Sequence, residues 1–187
     1  AGSLMGLYYP QVLQRPTSQI IAPWSYEALG RVWKTITNTG PASALWPADN
    51  LAIFYPFVLS EPRTALSMWV YNGAGLSNVD VGIYGADGTR LVSSGATAQS
   101  GLNTLQIINT TDLALAAGTQ YYAGMSADIA ATAQVFRVTV SANIGQLAAV
   151  GLVEKTAAYV LPASVTFAAL TTANYLPFFG LSFVATY

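Results

Sequence analysis

The chain has 187 residues, of which 53% are hydrophobic and only 8% are charged, and its net charge is −1. This length accommodates one substantial hydrophobic core, and one folded domain is expected. The seven basic residues are spread singly and form no stripe for nucleic-acid phosphates. The sequence has no cysteine and no histidine, which excludes disulfides, thiolate ligands and the most common general base.

The apolar content is unusual because ordinary soluble domains carry about 25% charged residues. Two long apolar stretches, residues 144–153 and 157–170, are interrupted by Gln146 and Pro162. Both are shorter than the roughly 20 residues of a membrane-spanning helix, so no membrane insertion is expected. The composition instead favours a homo-oligomer or a subunit of a larger assembly that covers apolar surface. The alternative is a monomer whose surface is covered by Ala, Gly, Ser and Thr.

Residues 1–43 differ from the rest of the chain and are predicted to form an N-terminal arm or anchor segment. Prolines interspersed with aromatic residues argue against a long helix or a central strand here, although residues 25–34 could make a short helix. The arm either packs its aromatic residues onto its own domain or reaches a neighbouring subunit. On the second interpretation, the candidate residues for an assembly interface are Tyr8, Tyr9, Trp24 and Trp33.

Residues 44–187 are predicted to form a β-sandwich domain, whose central feature is a hairpin over residues 77–95. Val79, Val81 and Ile83 alternate with polar or small residues, which is typical of a strand with one buried and one exposed face. The segment 85–88 carries two glycines and an aspartate, which suit a tight turn. The alternation resumes after the turn.

Further strands are predicted at intervals of about ten residues, a spacing typical of a sandwich or barrel. They cover residues 51–59, 64–71, 102–109, 120–128, 133–140 and 181–187, and the segments 120–128 and 133–140 are interpreted as a second pair. Pro56 places part of its strand at an edge or bulge. Residues 162–173 are expected to wrap the outside of the fold. The predicted class is all-β, an antiparallel, jelly-roll-like sandwich with an extended N-terminal arm.

No arrangement of residues predicts catalysis, and neither a catalytic residue nor a cofactor is expected. The eight carboxylates lie far apart in the sequence, and the serines have no histidine partner. Two acids from distant loops that meet in a cleft would make a hydrolase the third possibility. Asp80 and Asp87 could contribute oxygen ligands to calcium, but a single hairpin aspartate is more often a turn residue, so no metal is expected.

Carbohydrate binding is a stronger alternative because tryptophan side chains suit the faces of sugars. Among the four tryptophans, Trp46 lies between Leu45 and Pro47 in a predicted loop and is the candidate for glycan contact. The competing interpretation is that the tryptophans belong to the core or to an interface.

Five segments together resemble a family of small β-rich structural proteins encoded by tailed bacteriophages. They are residues 44–57 (ALWPADNLAIFYPF), 78–91 (NVDVGIYGADGTRL), 94–101 (SGATAQSG), 118–122 (GTQYY) and 175–181 (YLPFFGL). The resemblance covers the chain from residue 44 onwards. It implies a location in the virion and a structural role as a decoration, fibre, neck or tail component, and it transfers no catalytic or binding residue.

These observations predict a non-enzymatic virion structural protein that assembles through apolar sheet faces and the aromatic arm. The expected partners are other copies of the chain and other virion proteins. A trimer is expected by analogy with fibres and decoration proteins. The alternative function is a carbohydrate-binding or receptor-binding module of a tail fibre, whose partner would be a glycan on the host surface.

Overall fold

The computed structural model describes residues 20–21, 42–139 and 151–183. The described chain is all-β, and its strands pair antiparallel in several sheets. The strands are β1 (Ile20–Ile21), β2 (Ala42–Leu45), β3 (Ala52–Val58), β4 (Arg63–Tyr71), β5 (Asn78–Gly85), β6 (Arg90–Ser93), β7 (Thr97–Ala98), β8 (Leu105–Leu115), β9 (Gln120–Ala127), β10 (Gln134–Thr139), β11 (Val153–Lys155), β12 (Thr171–Thr172), β13 (Tyr175–Pro177) and β14 (Phe179–Ser182). A short 3-10 helix spans Phe167–Ala169. In this part of the chain no helix has the length and apolar character needed to cross a membrane.

The strands form three sheets. Sheet I has the order β1-β14-β4-β8, and sheet II has the order β13-β10-β2. Sheet III has the order β12-β11-β3-β9-β5-β6, with β7 also paired to β5. The chain passes repeatedly from one sheet to another, so neighbouring strands in a sheet are mostly distant in sequence.

The main hydrophobic core brings side chains of all three sheets together. Val81 and Met125 of sheet III, Met68 of sheet I and Val135 of sheet II belong to one buried cluster. All four side chains are fully shielded from solvent. The result is a sandwich-like packing of sheets around a shared apolar layer.

Sheet III is buried on its second face as well, which corrects one expectation from the sequence. Asp80 and Tyr84, which alternate with the apolar residues of β5, are as buried as those residues are. The reason is a covering segment, residues 158–170, whose Leu161 and Val165 form a second apolar cluster with Phe54 and Tyr84. The prediction of an exposed face on β5 is therefore wrong, whereas the prediction that this part of the chain wraps the fold is confirmed.

Several strand predictions are confirmed. Strands β3, β4, β9 and β10 lie within or close to the predicted segments, and β5 and β6 form the predicted hairpin. Strand β8 extends six residues beyond the predicted end at Asn109, to Leu115. Residues 175–180, which lie outside the predicted strands, contribute β13 and the first half of β14.

The expected pairing of β9 with β10 is wrong. Strand β9 lies between β3 and β5 in sheet III, whereas β10 lies between β13 and β2 in sheet II. Asp128, at the end of β9, accepts hydrogen bonds from Ser77 and Asn78. Beyond it the chain leaves sheet III, and Ala133 accepts a hydrogen bond from the backbone of Trp46, next to β2.

The first part of the chain is described at two places. Ile20–Ile21 pairs with Leu181 and Ser182 of β14 at one edge of sheet I. The proposed domain boundary between residues 43 and 44 falls within β2, which pairs with β10. The short helix expected over residues 25–34 lies outside the described residues, as do residues 140–150 before β11.

Candidate functional site

The structure places one of the five candidate site residues. Tyr8, Tyr9, Trp24 and Trp33 lie outside the described residues, so their expected role in assembly stays a prediction. Trp46 is only 2% exposed, and its indole N–H donates to the carbonyl of Leu51 at 2.9 Å. A ring in this position has no open face on which a sugar could stack, so the glycan-contact role expected of Trp46 is not supported.

Asp80 and Asp87, the two candidate calcium ligands, both accept hydrogen bonds that stabilise the fold. Asp80 is buried and accepts hydrogen bonds from the hydroxyls of Ser93 and Ser94 and from the backbone N–H of Leu161. These bonds join the hairpin to the covering segment. Asp87 is exposed, and hydrogen bonds from the backbone and then the side chain of Thr89 hold the pKa of its carboxyl below the ordinary value. Within residues 42–139 and 151–183, no three potential metal-ligating side chains cluster together.

Asp128 has a similar structural role at the other end of β5. Burial alone would raise the pKa of this carboxyl, but hydrogen bonds from Ser77, Asn78 and the backbone of Ile129 outweigh that effect and lower it. The ionised carboxylate of Asp128 therefore stabilises the folded state. These contacts of Asp128 are structural and do not indicate a ligand site.

The surface feature that stands out is exposed apolar side chains. Large apolar side chains are open to solvent at Leu45, Val58, Leu76, Leu91, Leu102, Leu105, Ile107, Ile129 and Val160. Three of them, Leu102, Leu105 and Ile107, lie within six residues at the start of β8. Leu102 is 59% exposed and Ile107 is 37% exposed. Leu105 and Ile107 lie on the same face of β8, and neighbouring exposed apolar side chains of this kind are typical of surfaces that contact other molecules.

These side chains lie at the edge of sheet I, where no strand of the described residues is hydrogen-bonded to β8 on the side away from β4, although β6 of sheet III lies close to β8. Strand β8 is the last strand of sheet I, and β4 is its sheet neighbour. It is also the longest strand among the described residues, with 11 residues. A sheet edge presents unpaired backbone N–H and C=O groups, which make it a template for another strand.

The register shows which residues of β8 point their backbone groups outward. The N–H of Tyr71 donates to the carbonyl of Phe178 at 2.9 Å, so the backbone groups of Tyr71 point toward β14, and Tyr71 and Leu105 form a non-hydrogen-bonded pair. Hydrogen-bonded and non-hydrogen-bonded pairs alternate along an antiparallel ladder. With Tyr71 opposite Leu105 and Trp69 opposite Ile107, the groups of Leu105, Ile107 and Asn109 therefore face away from β4. We call residues 105–109 the open edge of β8.

An amide network fixes the open edge in place. Gln106, on β8, accepts hydrogen bonds from the side chain of Asn72 and the backbone of Ser100, and it donates to the carbonyl of Ala98. Gln99 in turn donates to the amide oxygen of Asn72 at 2.9 Å. The start of β8, which carries Leu105 and Ile107, is thereby attached to the preceding loop and to the end of β4.

The open edge lacks the features that usually protect sheet edges. Natural edges are blunted by lysines, prolines or bulges. Residues 102–109 contain no charged residue and no proline. The register shift lies farther along, between the pairs Ala65–Leu113 and Ser67–Asn109, and Asp112 lies within it. The charged residue and the bulge that could protect this edge against pairing therefore come only after Asn109.

The sequence of β8 predicted a strand but not that this strand lies at a sheet edge. The pattern LNTLQIIN predicted a strand, and its lack of charge was visible in the sequence. Whether a strand lies at an edge depends on its neighbours, and these come from distant parts of the chain.

Comparison with family models, with curated proteins and with solved structures finds no match to this chain.

Proposed function

We propose that the protein is a non-enzymatic structural subunit of a bacteriophage virion, which assembles with copies of itself and with other virion proteins through apolar surface. Its domain would be a jelly-roll-like sandwich with an N-terminal arm. The observation that carries the proposal is an uncharged stretch with three exposed apolar side chains, Leu102, Leu105 and Ile107, at and next to the open edge of β8. Exposing such a surface is costly for a free monomer and useful to a subunit.

Composition supports the same proposal. With 8% charged residues, the chain has few charges to keep separate copies apart in solution. Within the described residues, one ion pair joins Arg63 to Glu61. Assembly would therefore depend on apolar contact and on backbone pairing more than on charge. The resemblance to phage structural proteins supplies the virion as the setting.

The first test is the mass of the purified full-length chain in solution. Light scattering coupled to size exclusion at micromolar concentration should give a homo-oligomer. A trimer is what the analogy with fibres favours, whereas the open edge of β8 favours an even-numbered assembly. A well-behaved monomer across this concentration range would overturn the proposal that the chain is built to assemble.

The second test addresses the setting. Mass spectrometry of purified virus particles should find the chain in a fixed ratio to the major capsid protein, and a density map of those particles should contain its sandwich. If the particles lack the chain, the virion role is overturned. Selective binding on a glycan array would instead place the protein in the receptor-binding class.

A further inference from the structure

We propose that the open edge of β8 pairs with the same edge of a second copy around a two-fold axis at Ile107. This inference rests on the proposed function, since it names the surface through which copies assemble. The two sheets I would then join into one continuous sheet across the interface. The occupant of the edge is a second copy of this chain, and three features of β8 support that choice.

The first feature is the direction of the backbone groups. Leu105, Ile107 and Asn109 face away from β4. Two identical strands placed antiparallel around Ile107 bring Ile107 opposite its own copy and Leu105 opposite the Asn109 of the other copy. In that register the outward groups of each strand meet those of the other as hydrogen-bonded pairs.

The second feature is charge. A two-fold contact places each residue near its own copy, so any charge at its centre meets a like charge. The segment from Leu102 to Asn109 is uncharged. The first charge along β8 is Asp112, beyond the register shift that ends the open edge. The uncharged stretch thus coincides with the stretch whose ladder is free to extend.

The third feature is the exposed side chains on the outer face of the same residues. Ile107 is 37% exposed, and Leu105 is exposed beside it. In a paired sheet, facing and diagonal β-branched and aliphatic side chains contact one another across the strands. Pairing would therefore cover apolar surface and complete the backbone ladder at once.

The test uses substitutions at Ile107 in the full-length chain, with light scattering as the readout. The wild type should have twice the mass of one chain or an even multiple of it. Ile107→Lys places two like charges at the axis and should weaken dimerisation at least ~10-fold. Ile107→Pro removes an N–H that faces away from β4, so it should abolish pairing while the domain stays folded by circular dichroism. Ile129→Lys, at an apolar side chain exposed in the loop after β9, is the matched control and should leave the mass unchanged.

A cross-link tests the register directly because the natural chain has no cysteine. Facing residues of a hydrogen-bonded antiparallel pair have Cα atoms about 5.5 Å apart, which a disulfide can span. Ile107→Cys should therefore give a disulfide-linked dimer under mild oxidation, whereas Ile129→Cys should not.

The outcomes separate this inference from the proposed function. If the wild type is oligomeric but Ile107→Lys leaves its mass unchanged and Ile107→Cys gives no cross-linked dimer, the β8 pairing is overturned and assembly stands. A trimeric wild type would also overturn the β8 pairing and leave assembly standing. A monomeric wild type overturns both.

Discussion

At the scale of single residues, the polar groups inside this protein connect parts of the backbone that are distant in sequence. Asp80 is fully buried in β5 and receives hydrogen bonds from Ser93 at the end of β6 and from Leu161 in the covering segment. A buried carboxylate is costly unless donors surround it, and here they do. One side chain thereby holds the covering segment against sheet III.

Replacement of Asp80 by alanine should lower the free energy of unfolding by about 3 kcal/mol, because buried donors of Ser93, Ser94 and Leu161 would lose their acceptor. Urea unfolding followed by tryptophan fluorescence measures the change. Asp112→Ala, at an exposed position on β8, is the control and should change stability by less than about 0.5 kcal/mol. Equal effects of the two substitutions would contradict the structural role of Asp80.

Asp128 predicts a pH dependence. Its hydrogen bonds lower the pKa in the folded state below that in the unfolded state. Its contribution to stability is therefore present above the unfolded pKa and is lost as the pH falls through the folded pKa. Asp128→Asn should reduce the loss of stability between pH 7 and pH 3, by about 1 kcal/mol or less because the group is partly exposed. Urea unfolding at the two pH values tests this, and an unchanged or steeper loss in the variant would contradict it.

At the scale of elements, the β5–β6 hairpin and the covering segment stabilise each other. The turn residue Gly88 has φ +85° and accepts a hydrogen bond from the N–H of Val165 at 2.9 Å. The N–H of Arg90 donates to Ala163, and the hydroxyl of Tyr84 donates to the carbonyl of Pro162. The hairpin turn therefore serves as the attachment site for a segment about 75 residues later in the chain, the separation of Gly88 from Ala163.

Gly88 and Gly118 allow backbone strain to be separated from this contact. Both have positive φ, but a Cβ at Gly88 would lie 1.8 Å from the carbonyl oxygen of Val165, whereas a Cβ at Gly118 would meet nothing within 4 Å. Gly118→Ala should cost about 1 kcal/mol of unfolding free energy, from conformational strain alone. Gly88→Ala should cost a further ~1–3 kcal/mol, because the covering segment must shift. Chemical denaturation of the two variants measures the difference, and similar losses would show that the contact with Val165 contributes little.

At the scale of the whole molecule, few charges and an open sheet edge give the same expectation about association. Contacts between copies would be made by apolar side chains and backbone groups, which salt screens weakly. The open edge is stiffened by amides rather than by ion pairs. Association should therefore be governed by burial of apolar surface.

The oligomer should persist in 1 M sodium chloride, where the Debye length is about 3 Å, and sulfate should strengthen it. Light scattering across a salt series measures this, and circular dichroism at each concentration checks that the fold is unchanged. Dissociation into monomers at high chloride concentration would show that ion pairs hold the copies together.

Local pattern predicted much of the fold. The alternation of Val79, Val81 and Ile83 and the turn before Arg90 indicated the hairpin, and strands β3, β4, β9 and β10 were located from their composition and from the turn residues between them. The sequence did not show that β5 is buried on both faces, since Asp80 and Tyr84 are typical of an exposed face. Their burial depends on residues 158–170.

The candidate site was harder to predict from the sequence than the fold. Trp46 lies among turn-forming residues such as Pro47, which indicated a loop, yet its ring fills the core next to β2, where the Trp46 backbone is bonded to Ala133. The open edge of β8 was visible only as an uncharged strand. Its outward residues follow from the hydrogen bond of Tyr71 to Phe178 and from the register of β8 with β4, neither of which a linear pattern encodes.

The sequence by itself determined an all-β class, the positions of most strands, the scarcity of charge and the absence of cysteine and histidine chemistry, because these follow from composition and from a period of two. The tertiary structure alone decided which strands are neighbours, which faces are buried and that β8 lies at a sheet edge. Those properties arise from contacts between residues far apart in the chain, and alternation along one strand carries no information about the strand beside it.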